Sequence, residues 1–168
     1  MRPERGKAVA FLIEQLPDKD LAVSFFLMFS RFEYALKRAG YLKPNAHYAS
    51  ADWGRFAREH ESQFQRLAKP DELLEAVQYL RTRPPKKQIV VNGQISWDDG
   101  PVTSCAEGSL QWLLVMVRRV RNNLFHGGKY PYAPINEPLR DVKLLEHCIT
   151  VLEASLNLSP EIHEYFYQ

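Results

Sequence analysis

Cysteine is scarce in this chain. Two cysteines occur in 168 residues, Cys105 and Cys148, far apart and without CxxC spacing. The pattern is that of a reduced, cytoplasmic protein whose thiols serve as small buried hydrophobes. Long apolar runs are also missing. The densest stretch, Leu21 to Met28 with Phe29 behind it, is broken by Ser24 and flanked by Asp20 and Arg31. It falls short of the roughly 20 apolar residues that a bilayer crossing requires, so no membrane role is expected. The N-terminal stretch has basic residues but only a short apolar patch and no small-residue cleavage site, and it reads as part of the fold. A dominant charge sign is absent too, since the formal net charge is only +2. No internal repeat, low-complexity run or interdomain linker divides the chain, which implies one domain over residues 1–168.

What is present is the balance of a globular protein with a core: 45% hydrophobic and 25% charged residues. The basic residues are unevenly placed. Arg118, Arg119 and Arg121 fall within four positions, with Lys129 shortly after. Charge alone favours a solvated helix face over an anion-binding helix end.

Periodicity predicts an all-α bundle. A short helix spans about residues 5–16 and ends at Pro17. A second runs from a cap at Asp18 or Asp20 to about Arg38, with Gly40 as its stop and Leu21, Phe25, Met28, Phe29, Phe32 and Leu36 as its buried face. After a loop, Asp52 caps a helix whose stripe is Trp53, Phe56, His60, Phe64 and Leu67. Pro70 opens the next, with Leu73, Leu74, Val77 and Leu80 inward. The period then changes. Residues at about 88–97 form two β-prone runs around Asn92-Gly93, the preferred pair for a tight hairpin turn. This insertion reads as a substrate-facing flap or as a decorated connection. Ser104 and Glu107 form a capping box expected to start a helix reaching Phe125 or His126, broken by Gly127-Gly128. A proline-rich loop follows. A helix from about Leu139 to Leu156 is then expected to bury Val142, Leu145, Ile149 and Leu152. Ser159-Pro160 caps a last short helix through Tyr167.

The helix from Ser104 carries an anomaly. At about 100° per residue, Leu110, Leu113, Leu114, Val117 and Leu124 share one arc, and Arg121 falls near its middle. A guanidinium on an apolar arc needs either a carboxylate partner or a place where the arc leaves the core for a cleft or a second subunit. The residues after it are Asn122, Asn123, Leu124, Phe125, His126, Gly127 and Gly128. Other Arg–His pairs at similar spacing lack this context. Arg55 precedes Phe56 rather than Asn, and its His60 lies on the apolar stripe. Arg140 stands at the start of its helix.

The RNxxxHG run of Arg121 to Gly127, at the end of a late helix, resembles the hallmark motif of the HEPN superfamily. The helical architecture and the long early helix containing Phe29 to Glu33 are similar as well. The resemblance implies a homodimer in which two copies of this helix meet at a composite cleft that cleaves RNA without a metal or other cofactor. Arg121 would steady charge on the phosphate, His126 would move a proton, and Asn122, four residues earlier, would hold the imidazole. Five residues along a helix separate Arg121 and His126 by about 140°, a divergence that unwinding at Gly127-Gly128 would correct. Arg118, Lys129 and Tyr130 would bind substrate, and Tyr132 and Trp112 could line the cleft. Glu33 is a candidate orienting acid, with a surface pair to Lys37 as its alternative. The toxin and antiphage-defence branches further imply an antitoxin or nucleotidyltransferase partner. Some toxins carry a modified tyrosine two positions after the His; Gly128 stands there in this chain.

Two other functions fit the same residues. One is a non-catalytic module that binds RNA or nucleotide or scaffolds a partner. The other is a helical dimer in which Arg121 is a structural ion-pair member.

Overall fold

The computed structural model describes residues 6–16, 18–125 and 137–168. These form helices α1 (Lys7–Glu14), α2 (Lys19–Arg38), α3 (Trp53–Arg66), α4 (Asp71–Thr82), α5 (Leu110–Phe125), α6 (Pro138–Leu156) and α7 (Pro160–Tyr167), with strands β1 (Lys87–Val91) and β2 (Gln94–Asp98) between α4 and α5. The expected helical body with a small hairpin is therefore present. Residues 126–136, which include His126, Gly127, Gly128, Lys129, Tyr130 and Tyr132, lie outside the described residues, as does Pro17.

Local chemistry sets most boundaries. Asp18 Oδ1 accepts the Leu21 amide at 2.9 Å and starts α2. Gly40, at φ +79°, ends it, with the Gly40 amide on Lys37 O and the Tyr41 amide on Leu36 O. That is a Schellman closure, and it requires the left-handed conformation that glycine adopts without strain. Asp52 Oδ1 caps α3 through the Arg55 amide at 2.9 Å. Asn92 and Gly93, at φ +50° and +77°, make the tight turn that pairs Val91 with Gln94 and Lys87 with Asp98. The Ser159 hydroxyl accepts the Ile162 amide at the start of α7.

The core is laid down by helix faces. On α2, Phe25, Phe29, Phe32 and Leu36 are buried, with Ala22 and Ala35 beside them and Leu21 and Met28 at the edge. Phe29 stacks on Trp53 at 5.1 Å between centroids, and Phe32 meets Phe56 edge-on at 5.7 Å. His60 stands at the boundary, its Nδ1 2.9 Å from Phe56 O. Helix α5 packs against α3 and α6, while α6 also packs against α2, α4 and α7, so these two helices form the centre of the bundle.

Several expectations need correction, among them Leu67, which lies just past α3 and is exposed rather than on its buried stripe. Helix α5 begins at Leu110, not at Ser104. Gly108 is left-handed at φ +79°, a conformation no helix accommodates. Glu107 is drawn away by Arg81 at 2.9 Å, and the cap passes to Ser109, whose hydroxyl accepts the Trp112 amide at 3.2 Å. Leu74 is exposed, because adjacent residues on a helix diverge by about 100° and Leu73, Ala76 and Leu80 hold the inner face of α4. On α6 the buried face is Leu144, Leu145, Cys148, Val151 and Leu152, leaving Val142 and Ile149 half-buried. Of the thiols, Cys148 is buried as expected, but Cys105 is half-exposed in the loop before α5.

Candidate functional site at the end of helix α5

Helix α5 delivers Arg121 to the α2 side of the bundle. Its guanidinium carbon lies 5.4 Å from the Phe29 ring centroid, and Nη1 donates to Asn122 Oδ1 at 3.0 Å. The residue is half-buried, between the buried Val117 and Leu124 on the same arc. An aromatic face partly offsets the desolvation of such a cation, by about 0.5–2 kcal/mol. Beyond Arg121, Leu124 stays buried and the helix surface opens only at Phe125. Phe125 is exposed and packs on Phe26 of α2 at 5.2 Å between centroids.

Asn122 is exposed and Arg118, one turn earlier on the same face, is exposed as well. Both line a cleft of about 430 Å³ between α5 and the hairpin, together with Arg119, Lys87, Thr103 and Ser104. Sequence reasoning found Arg118 and Asn122, and Arg119 within the basic cluster, but missed Lys87. Its contribution depends on the hairpin folding back onto α5, and no local signal encodes that.

The Glu33 carboxylate sits 3.0 Å from Lys37 Nζ, the one-turn pair weighed as its alternative. Phe29, one turn earlier, is the α2 side chain beneath Arg121. Trp112 is buried in the core and offers no face for base stacking, because its position on α5 points inward beside Leu113 and Met116. The placements of His126, Lys129 and Tyr130 lie outside the described residues. Arg121 and Asn122 are thus brought together, with Arg118 along the same helix.

Asn123, to which the sequence reading gave no role, is buried next to the motif's first Asn. Its amide nitrogen donates to Lys86 O at 2.8 Å. Arg119 Nη1 donates to Pro85 O at 3.3 Å, and Arg140 Nη2 donates to Pro84 O at 2.9 Å. Side chains of α5 and α6 therefore hold successive carbonyls at the foot of the hairpin.

Perturbed titratable groups lie elsewhere. Burial pushes the Tyr41 hydroxyl up to about 12, helped by its bond to Glu59 Oε2 at 2.9 Å. Burial against Tyr79 holds the His147 imidazole below its ordinary value, and full burial raises the Cys148 thiol. Among the described residues no group of three or more His, Cys, Asp or Glu could hold a metal ion, and no helix is long and apolar enough to cross a membrane.

No protein-family model, no curated protein and no solved structure matches this chain. The resemblance to the HEPN superfamily therefore rests on the motif and on the helical architecture around it.

Proposed function

We propose that this protein is a metal-independent endoribonuclease that cuts RNA at a cleft assembled from two copies of the end of α5. The observation that carries the reading is the setting of Arg121. A cation stands on an apolar arc at a helix end, over an aromatic ring and bonded to the motif's Asn122, one turn before exposed Phe125. A phosphate approaching this end of the helix meets a planar fork suited to its oxygens.

In this reading His126 takes the proton from a ribose 2′-hydroxyl. The 2′-oxygen bonds to phosphorus, the bond from phosphorus to the 5′-oxygen breaks, and the leaving oxygen takes a proton from water, to which His126 in turn releases the proton it took. Arg121 steadies the charge that builds on the non-bridging oxygens. Asn122 is a positioning residue for the pair. The products carry a 2′,3′-cyclic phosphate and a 5′-hydroxyl, and no redox partner is consumed.

A twofold assembly is supported by the apolar surface around this helix end. Val23 is 54%, Phe26 47%, Leu27 59% and Phe125 44% exposed. Val23, Phe26, Leu124 and Phe125 line a groove of about 220 Å³. Exposed apolar side chains clustered around one groove suit a contact surface. A second copy laid there would bring two α5 ends together. The resemblance extends this to a toxin or defence effector restrained by an antitoxin-type partner.

Incubation with end-labelled RNA in chelator tests the proposal. Cuts ending in 2′,3′-cyclic phosphate are expected, and a strand with a 2′-deoxyribose at the cut position should resist. Retention of RNA without new ends would favour a binding module. Equal cutting of the deoxy-substituted strand would remove the proposed chemistry.

A further inference from the structure

We propose that the cleft between the hairpin and α5 is a second contact surface for the substrate, one that takes backbone phosphates of the RNA strand flanking the cut. This rests on the ribonuclease reading of the α5 end and assigns the hairpin a role within it. Lys87, Arg118 and Arg119 line a cleft of about 430 Å³, and Asp98 is the carboxylate among the lining residues. Asp98 Oδ1 is committed to the turn that follows it, accepting the Gly100 amide at 2.8 Å. Among the described residues the side chains of Lys87 and Arg118 make no ion pair and no hydrogen bond, and both residues are exposed. An excess of cations along one concave wall raises the local concentration of polyanions.

The walls are held in place before any ligand arrives. Arg140, Arg119 and Asn123 bond the carbonyls of Pro84, Pro85 and Lys86 in turn, so β1 enters the cleft with Lys87 fixed relative to α5. Arg119 does this through one Nη1 hydrogen bond at 3.3 Å and keeps its charge. Thr103 and Ser104 add hydroxyls that can donate to phosphate or accept from a ribose hydroxyl.

Continuity with the candidate catalytic end is the second observation. Asn122 lines the cleft and also accepts from Arg121 Nη1 at 3.0 Å. Arg118 lies four residues earlier, about 6 Å along the helix axis. A strand with one phosphate at Arg121 can therefore run past Asn122 toward Arg118 and Lys87. Contacts of this type fix the register of a strand without reading its sequence.

The test measures binding of a labelled single-stranded RNA, 2′-O-methylated so that it cannot be cut, by the full chain and by Lys87→Gln and Lys87→Gln/Arg118→Gln. Both side chains are exposed, and circular dichroism melting verifies folding. The double variant should bind roughly tenfold more weakly at low salt, and the slope of log affinity against log salt should fall by about 1.4. Unchanged affinity and slope would overturn the cleft, even if the wild type cuts unmethylated RNA. Conversely, binding that depends on Lys87 and Arg118 in a protein that cuts nothing would uphold the cleft while the ribonuclease reading fell. Displacement of the strand by micromolar ATP would overturn the assignment in favour of a free nucleotide.

Discussion

At the scale of single residues, environment separates groups that composition treats alike. Cys148 is fully buried, which raises its thiol and hides it, whereas Cys105 is half-exposed. Because the thiolate is the reactive species, iodoacetamide should label Cys105 in the native protein and spare Cys148, with both labelled in denaturant. Mass spectrometry reads the result; equal native labelling would contradict the burial. The adjacent asparagines Asn122 and Asn123 divide in the same way. Asn122 is exposed beside Arg121, while Asn123 is buried and holds Lys86 O. Substituting Asn123 by Ala leaves that carbonyl without its partner and should cost about 1–2 kcal/mol of stability. Limited proteolysis should then cut at the foot of the hairpin sooner; an unchanged cleavage map would show that the bond does not hold it.

At the scale of elements, α4 and α6 meet around a histidine. His147 is buried, its Nε2 has no hydrogen-bond partner among the described residues, and its ring lies 4.6 Å from Tyr79. Burial lowers its affinity for a proton, and Lys143 adds to this, while Glu75 and Glu146 oppose it. The unfolded chain therefore binds a proton at a higher pH than the folded one. Stability is complete above the ordinary histidine value near 6.5 and falls as pH drops below it toward the lowered folded value. Thermal melts between pH 7.5 and 5.5 should show this loss, and His147→Gln should lessen it; identical pH dependence in the variant would rule the histidine out. The same elements show what a sequence makes legible. Caps at Asp18, Asp52 and Ser159 and the Asn92-Gly93 turn follow from chemistry within a few residues, and each stands where expected. The box at Ser104 and Glu107 failed because distant groups competed for it. Arg81 takes Glu107, and Glu61 Oε2 accepts the Leu110 amide at 2.9 Å where α5 begins. Arg121 was legible as an anomaly on an apolar arc. That Phe29 would lie beneath it, and Lys87 along the adjoining cleft, depends on how the helices and hairpin pack together.

At the scale of the whole molecule, a cationic helix end adjoins an apolar surface that, in the proposed dimer, a second copy would cover. Helix α1 contributes no buried residue, and its Val9, Phe11, Leu12 and Ile13 are exposed. Phe26 and Phe125 form an exposed aromatic pair next to the candidate site. Replacing Phe26 by Glu places a charge on that surface without opening the core. The most direct measurement is the single-turnover rate on one labelled RNA for the wild type, Arg121→Ala and Phe26→Glu, with mass and melting temperature recorded for each. The wild type should cut as a dimer. Arg121→Ala should stay folded and dimeric yet lose about 10²–10³-fold in rate, the scale of one lost charge-stabilising donor. Phe26→Glu should be monomeric and equally silent. A wild type that leaves the RNA intact, or an Arg121→Ala protein that cuts at the wild-type rate, would contradict the account.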